Sequence, residues 1–376
     1  MRILFLNYEF PPLGGGASPS SFALARRYVA FGHDVDVVTM CYKGLPKREV
    51  MDGIRVFRVP SFRAKKEICH IHEMVFYVVS AIWFLRKHMK NARYDVCHAH
   101  FIVPTGIVAL WVKRKYQLPY VLTAHGSDIS GYNPDRFIIS HRFLKPILRA
   151  VCTNAKAIVA PSHFLRKLLL KSVRGAENKL SVIPNGIDSD QFVQKQKKNL
   201  IISTGRLLPR KGFQYLIKAV SDKDTGYEVH ILGDGPMMRE LRAMAKVSKT
   251  KIIFHGWLNN DSEGYKNLLG HAAIYCLCSL QENSSVALLE AMSAGCAVIT
   301  TNISGCAETV GDAGVTVPPQ DTAALQATLV ELIDNSRMRE AFQQKARLRA
   351  INYFDWNTIA GNYERLLTNT NSYIMT

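Results

Sequence analysis

Two cations and two carboxylates in the second half of the chain have the types and spacing of a site for a charged, elongated ligand. Arg206 follows a strand-like run and Lys211 comes five residues later, while seven residues separate Glu282 from Glu290. A guanidinium offers a planar fork to phosphate oxygens, and an ammonium adds a compact charge. The cation pair therefore suits a diphosphate, although simple solvation at the surface explains either cation taken singly.

The two carboxylates are expected on different elements. Ser284 or Ser285 can cap a helix that ends at Gly295, which leaves Glu282 in a loop and Glu290 inside the helix. Even on one helix, eight residues would separate the two acids by about 12 Å. They are too far apart for an acid–base pair, so we expect them to hold two ends of one ligand, the first near sugar hydroxyls and the second near a ribose.

The first half offers a glycine loop and a histidine. Gly15 and Gly16 follow the first strand-like run and precede a helical segment, where backbone N–H groups can approach a phosphate. The third glycine of a dinucleotide-binding loop is missing, because Pro19 follows. A phosphate or acceptor loop and a mere turn both stay open. His125 ends a later run, and a core or capping role is the alternative to a side chain of the active site.

These candidates sit on a regular alternation of strand-like runs and amphipathic helical segments. The runs cover 2–10, 33–40, 54–60, 94–101, 119–125, 156–161 and 180–184, and then 200–204, 227–232, 251–256, 273–280, 297–302 and 314–318. Two successive βα series predict two doubly wound parallel-sheet α/β domains, 1–190 and 191–354. A last helical segment, about 355–370, follows and can pack back on the first domain.

Composition limits the class of protein. The chain has 376 residues, 48% hydrophobic and 21% charged, which is typical of a folded protein of two domains. The longest apolar run, 74–85, has 12 residues with only Ser80 interrupting it, whereas a membrane span needs about 20. No signal peptide is expected, because Asn7 and Glu9 interrupt the initial apolar run. The eight cysteines include no Cys-x-x-Cys pair. A reducing cytoplasm and no metal site are therefore expected.

Several motifs together resemble the retaining glycosyltransferases of family 4, which have the GT-B fold. The residues that carry the resemblance are Arg206 with Lys211, Glu282 with Glu290, Asn-Gly-Ile-Asp at 185–188 and Gly-Asp-Gly-Pro at 233–236, and the match runs from the glycines at 14–16 to Trp356. The resemblance implies two Rossmann-like domains facing a central cleft. It also implies that the first domain lies on the acceptor side and that the second binds a nucleotide-sugar donor.

The resemblance assigns roles in the second domain. Arg206 and Lys211 would bind the donor diphosphate and stabilise charge on the departing nucleotide. Glu290 would accept hydrogen bonds from the ribose, and Glu282 would position the transferred sugar. The backbone groups that assist Glu282 would be those of Asn283, Ser284 and Ser285. Many members have Gly-Phe-Gly at these three positions, so this departure leaves the identity of the sugar open.

The remaining roles belong to loops. His125 would contact the transferred sugar near the reaction centre, and Gly15 and Gly16 would lie by the phosphates or the acceptor. Gly256 and Trp257 begin the loop expected to meet the base. The family needs no metal or other cofactor, because the two cations replace a metal ion.

Charge in the first half suggests an anionic partner. Residues 1–190 carry 28 basic and 13 acidic side chains, against 20 and 17 in the remainder. The apolar residues at helical spacing are Ile68, Ile71, Val75, Val79, Ile82 and Met89, with Phe76, Trp83 and Phe84 beside them and with Arg63, Lys65, Lys66, Arg86, Lys87 and Lys90 at the flanks. This composition fits a helix lying on an anionic membrane. An ordinary helix with a core face is the alternative.

We therefore expect transfer of a hexose-type sugar, with retention, from a nucleotide-sugar to a glycan or lipid-linked acceptor in cell-surface polysaccharide or lipopolysaccharide synthesis. A UDP-sugar is the preferred donor on the family's frequencies. The alternatives are a GDP-mannose-dependent mannosyltransferase, a GT-B sugar-nucleotide epimerase and a phosphorylase. A basic nucleic-acid-binding module is the alternative outside enzymes. It leaves the pair Glu282 and Glu290 unexplained, so no nucleic acid is expected as a partner.

Overall fold

The computed structural model describes residues 1–66, 68–126, 129, 132 and 138–368, with only the backbone described for 138–144. The chain divides into two compact units. The N-terminal unit comprises Met1–Pro184 and the segment that begins at Trp356, and the C-terminal unit is Asn185–Asp355. Each unit is an α/β domain built on one sheet.

The N-terminal unit has eight strands and six helices in the described residues. The strands are β1 (Arg2–Leu6), β2 (Asp34–Met40), β3 (Arg48–Met51), β4 (Ile54–Val59), β5 (Val96–His100), β6 (Tyr120–Thr123), β7 (Ala157–Ala160) and β8 (Leu180–Val182). The helices are α1 (Ala17–Ala30), α2 (Ile71–His88), α3 (Thr105–Tyr116), α4 (Ile138–Asn154), α5 (His163–Ser172) and, at the end of the chain, α13 (Trp356–Thr368).

The first sheet has the order β3-β4-β2-β1-β5-β6-β7-β8, and every pair except β3 with β4 is parallel. β3 is absent from the strands expected from the sequence. It forms a hairpin with β4 through Asp52 and Gly53, whose φ angles are 48° and 82°. An Asp-Gly pair favours this turn, because both of its central residues need positive φ.

The C-terminal unit has a second sheet with the order β11-β10-β9-β12-β13-β14, and all of its strands are parallel. The strands are β9 (Lys198–Thr204), β10 (Glu228–Leu232), β11 (Ile252–Gly256), β12 (Ala272–Leu277), β13 (Ala297–Thr301) and β14 (Val315–Val317). The helices are α6 (Phe213–Ser221), α7 (Met238–Ala245), α8 (Glu263–His271), α9 (Val286–Ser293), α10 (Ser304–Val310), α11 (Thr322–Asp334) and α12 (Ser336–Phe354).

The division between the units falls at Pro184/Asn185, before the boundary at 190/191 expected from the sequence. Asn185 belongs to the second unit because its backbone N–H and side-chain amide donate to Ser284 at 3.0 and 2.8 Å. The backbone N–H of Ile187 donates to the carbonyl of Phe354 at 2.8 Å, which ties the same segment to the end of α12.

Alternation along β1 builds a core on both faces of the first sheet. Ile3 and Phe5 join the cluster that includes buried residues of α1 and α13, whereas Leu4 and Leu6 join the cluster that includes α2 and α3. The last helix thus closes the α1 side of the first sheet, and of the predicted segment 355–370 the final two residues lie outside the described ones. No helix in the described part of the chain combines the length and the apolar character needed to cross a membrane.

Candidate functional site

Loops with candidate residues follow four neighbouring strands of the second sheet. Arg206 follows β9, Gly233 follows β10, Trp257 follows β11 and Glu282 follows β12. Because these strands are parallel, the four loops leave the same edge of the sheet. This edge is where ligands gather in open parallel sheets.

Close backbone approach holds these loops together and requires glycine at several positions, of which Gly233 and Gly212 are two. A Cβ on Gly233 would lie 1.8 Å from the carbonyl oxygen of Gly205. A Cβ on Gly212 would lie 2.0 Å from the carbonyl oxygen of Cys278, and the φ of Gly212 is +75°. The loop after β9 therefore packs directly against the loop after β12, and Lys211 is carried to Glu282.

Lys211 and Glu282 form an ion pair. The ammonium of Lys211 bonds to Oε1 of Glu282, and the Ser279 hydroxyl donates to the same oxygen at 2.8 Å. The backbone N–H of Glu282 donates to the hydroxyl of Ser304 at 3.0 Å. Both ends of the Glu282 residue are therefore fixed, and the Lys211 charge is held where the loops meet.

The segment after Glu282 is tied to the start of the unit. The hydroxyl and the carbonyl of Ser284 accept the two hydrogen bonds from Asn185, and Ser284 is buried. Ser285 occupies the N-cap position of α9 in an extended conformation, but its hydroxyl makes no capping hydrogen bond. The helix ends at Ser293, two residues before the expected Gly295. Asn283, between these serines and Glu282, is half-buried.

Glu290 projects from α9 into a buried polar pocket. The phenol of Tyr265 donates to Oε2 at 2.5 Å, and the side-chain amide of Asn260 donates to Oε1 at 2.8 Å. Burial is the largest influence on this carboxyl and raises its pKa to about 7, with a further increase from Asp261, although both hydrogen bonds oppose the shift. An ionised carboxylate has about four acceptor sites, so Glu290 can still accept hydrogen bonds from a ligand.

Arg206 and Trp257 are the exposed members of the group. Arg206 is exposed and has no ion-pair partner among the residues that the structure describes. Trp257 is also exposed and follows Gly256, whose φ is +72° and whose carbonyl accepts the N–H of Gly233 at 2.7 Å. Both side chains are available to a ligand at this edge.

His125 lies at the carboxyl edge of the first sheet, after β6. Its Nε2 is 2.9 Å from Nδ1 of His100, and burial lowers the pKa of His125 to about 3. Burial also lowers the pKa of His98 to about 3 and that of His100 below its usual range, with smaller effects from neighbouring histidines. These imidazoles are therefore neutral at physiological pH, and His125 can orient a hydroxyl group but carries no positive charge.

The glycine loop after β1 already faces a carboxylate. The backbone N–H of Gly15 lies 3.4 Å from Oε2 of Glu9, and Gly16 precedes the first residue of α1. The N–H of Gly14 donates to the carbonyl of Lys66 at 2.8 Å. An anion entering this loop would have to replace Glu9 as the partner of Gly15.

Five residues form hydrogen bonds with the predicted site residues Glu282, Glu290 and His125 but were not predicted as part of the site: Asn260, Tyr265, Ser279, Ser304 and His100. Ser279 could have been predicted from the sequence, because it lies near the end of the strand-like run 273–280, three residues before Glu282. Asn260 and Tyr265 gave no local signal, since the loop before α8 and α8 itself bring them to Glu290 only in the tertiary structure. In the described ranges, no group of three or more His, Cys, Asp or Glu side chains could hold a metal ion.

Two family models match the chain and together cover residues 14–349. Glycosyltransferase Family 4 matches residues 14–191, and Glycosyl transferases group 1 matches residues 186–349. An uncharacterized glycosyltransferase of Methanocaldococcus jannaschii is 26% identical over 390 residues, with 96% of each chain covered. The similarity extends over both units.

Solved structures share the fold. A sucrose-phosphate synthase from Thermosynechococcus elongatus has a TM-score of 0.81 at 17% identity, covering 97% of this chain and 98% of its own. The Anabaena protein HepE, crystallised in complex with UDP, has a TM-score of 0.78 at 18% identity, covering 98% and 100%. The predicted fold class is confirmed: two parallel-sheet α/β domains of the GT-B type.

Proposed function

We propose that this chain, which belongs to the family 4 glycosyltransferases and has the GT-B fold, transfers a hexose-type sugar from a UDP-sugar to a glycan or lipid-linked acceptor with retention of configuration. The observation that carries the proposal is the group at the carboxyl edge of the second sheet. It supplies two cations, Arg206 and Lys211, and two fixed carboxylates, Glu282 and Glu290. The complex of HepE with UDP supports the choice of uracil.

The donor would lie along this group. Arg206 and Lys211 bind the diphosphate, with Arg206 exposed to receive it and Lys211 partly neutralised by Glu282. Glu290 accepts hydrogen bonds from the ribose hydroxyls, while Gly256 and Trp257 begin the loop beside the base. The two cations take the place of a metal ion, so neither a metal nor another cofactor is required.

The sugar end of the donor would face the second carboxylate. Glu282 positions the transferred sugar with the backbone groups of Asn283, Ser284 and Ser285, and the contacts of Asn185 hold Ser284 in place. His125 donates or accepts a hydrogen bond at this sugar. Its neutral imidazole suits the role, because an uncharged group adds no charge to repel the cationic anomeric centre.

Transfer then requires one bond to form and one to break. The acceptor hydroxyl oxygen bonds to the anomeric carbon on the face from which the nucleotide leaves, and the bond between that carbon and the diphosphate oxygen breaks. The acceptor proton passes to the departing phosphate oxygen, so no protein base is needed. Arg206 and Lys211 stabilise the negative charge of UDP as it leaves. Gly15 and Gly16 lie by the phosphates or the acceptor once Glu9 moves aside.

We also propose a cytoplasmic reaction in cell-surface polysaccharide or lipopolysaccharide synthesis, with the chain peripherally bound at the inner face of the membrane. All eight cysteines are free thiols, which fits a reducing compartment. A lipid-linked acceptor fits the basic first half of the chain, with 28 basic side chains against 13 acidic ones in residues 1–190.

The test is a donor screen with lipid and glycan acceptors, in which released nucleotide is quantified with EDTA present. We expect release from a UDP-sugar, and product NMR should show the donor's anomeric configuration. Lys211→Ala should slow release by about 100-fold, whereas Lys218→Ala, at an exposed lysine on α6, should leave it unchanged. If nucleotide is released only from GDP-mannose, the donor is GDP-mannose and not a UDP-sugar. If the sugar rearranges without an acceptor, the chain is an epimerase. Inversion at the anomeric centre would refute the proposed mechanism.

A further inference from the structure

Helix α2 has two apolar faces, and only one of them is buried. Tyr77, Ala81 and Leu85 are fully buried on the side that packs against the first sheet. The Tyr77 phenol donates to the carbonyl of Val38 at 3.0 Å, and Glu73 accepts the backbone N–H of Ala64 at 2.8 Å. The helix is thus firmly attached, so the apolar residues on its other face are not exposed through loose packing.

The outer face carries the second apolar surface. Val75, Val79 and Trp83 are 58%, 62% and 61% exposed, and Ile71 and Phe76 are exposed beside them. At about 100° per residue, all five lie within about 80° of Val79 around the helix axis. Ile82 and Met89, which the sequence analysis placed with this group, pack instead against the core cluster of the unit.

A neighbouring loop extends the same surface. Phe62 is 73% exposed, and its ring meets that of Phe76 with the centroids 4.8 Å apart. The φ of Phe62 is 55°, a left-handed conformation that a bulky residue rarely adopts. An aromatic side chain is therefore held at the surface despite a backbone cost, and strained residues of this kind concentrate at functional positions.

Cations continue this face at the C-terminal end of the helix. Arg86 lies within about 20° of Val79 around the helix axis, Lys90 follows in the turn just after the helix, and Nζ of Lys87 lies 3.8 Å from the centre of the Trp83 ring. All three cations are exposed. The sequence from 53 to 94 has two acids: Glu67, which lies outside the described residues, and Glu73, which is buried.

We infer that this surface, Phe62 together with the outer face of α2 from Ile71 to Lys87 and with Lys90 just beyond the helix, is a docking surface for an anionic lipid bilayer. Apolar side chains enter the boundary between headgroups and acyl chains, and the cations meet the lipid phosphates. Charge argues against a second copy as the occupant, because two copies meeting through this face would oppose their own arginines and lysines. The inference rests on the proposed function in one respect: binding to the bilayer would bring the chain to its lipid-linked acceptor.

The test is flotation of the full-length chain with vesicles of phosphatidylcholine containing or lacking phosphatidylglycerol. We expect binding to the anionic vesicles only, weakening as salt rises. Val79→Glu should lower the partition coefficient on the order of tenfold or more, because it removes an exposed valine that would enter the bilayer and adds a negative charge. Neutralising Arg86 or Lys87 with glutamine should lower it by roughly fivefold each, the equivalent of about 1 kcal/mol per cation.

Val247→Glu is the matched control, because Val247 is 80% exposed in the other unit. Equal vesicle binding by the wild type and Val79→Glu would overturn the inference, as would no binding by either protein. A dimer in light scattering that Val79→Glu dissociates would assign the surface to a second copy. Stabilisation by UDP is measured on each variant in parallel. Retained stabilisation with unaltered vesicle binding in Val79→Glu would reject the docking surface and leave the proposed donor site intact.

Discussion

Donor affinity should depend on pH through Glu290. If the ribose hydroxyls donate to this carboxylate, the donor binds the ionised form, which predominates above the raised pKa of about 7. A group with this pKa is about nine-tenths ionised at pH 8 and about one-tenth ionised at pH 6. The dissociation constant should therefore be about tenfold higher at pH 6 than at pH 8, or about 1.4 kcal/mol weaker.

The assay is calorimetric titration with UDP-glucose at half-unit steps between pH 6 and pH 8. UDP itself is unsuitable, because a terminal phosphate titrates near pH 6. The three buried histidines of the first unit do not contribute, since their pKa values lie far below this range. Glu290→Gln is the control. It should bind about 30-fold more weakly than the wild type at pH 8, the equivalent of about 2 kcal/mol for hydrogen bonds to a charged group, and its affinity should not change with pH.

The same substitution should stabilise the ligand-free chain. A carboxyl with a raised pKa in the folded state destabilises that state when it is ionised, above pH 7, and the cost disappears as the pH falls toward 4.5. Glu290→Gln should therefore raise the free energy of unfolding at pH 8 by about 2 kcal/mol, and by less at pH 5. The removed cost of ionisation is about 3 kcal/mol, but the amide can accept only one of the two hydrogen bonds from Asn260 and Tyr265. A UDP-glucose affinity equal at pH 6 and pH 8, or the same pH profile in Glu290→Gln, would refute the role of Glu290.

Three further substitutions separate catalysis, packing and positioning. Lys211→Ala should lower the turnover number by about 100-fold, as expected for the loss of a charge that stabilises the leaving group. It should also lower the melting temperature modestly, because the buried Glu282 loses its ion-pair partner. Activity equal to the wild type would contradict the role of Lys211. Gly212→Ala should lower the free energy of unfolding by more than about 2 kcal/mol in chemical denaturation, because its Cβ would lie 2.0 Å from the Cys278 carbonyl oxygen. Gly226→Ala is the control, since Gly226 also has positive φ but has open space around it, and it should cost about 1 kcal/mol. His100→Leu should reduce turnover about tenfold through loss of the bond to His125 without changing the affinity for UDP, and His100→Asn, which keeps a polar atom near Nδ1, should recover most of it.

Local patterns predicted most of the fold. Each of the thirteen strand-like runs contains a strand of the structure. β-branched runs that alternate with amphipathic helical segments are compatible with few folds other than a parallel sheet covered by helices. The missed strand, β3, is short and half-exposed, and its pattern Arg-Glu-Val-Met is weak without the Asp-Gly turn that follows. The domain boundary depends on contacts of Asn185 with a residue almost a hundred positions away, which no local pattern encodes.

The candidate site was predictable where its residues form a motif and hidden where they meet through packing. Arg206, Lys211, Glu282 and Glu290 were selected by type and spacing, and their catalytic and binding roles stay predictions. The partners of Glu290 come from α8 and the loop before it, and only the tertiary structure brings them to the carboxylate. Helix α2 shows the same limit, because its apolar residues surround the helix and periodicity alone could not assign Ile82 inward and Val79 outward.

Hydrogen–deuterium exchange of the full-length chain with and without UDP tests most directly that a nucleotide-sugar donor binds at the carboxyl edge of the second sheet. We expect UDP to protect peptides that cover 203–212 and 279–291, with protection reduced in Glu290→Ala. GDP should protect the same peptides less. Protection confined to residues 1–184, or none at any UDP concentration, would contradict the assignment of the donor site to the C-terminal unit.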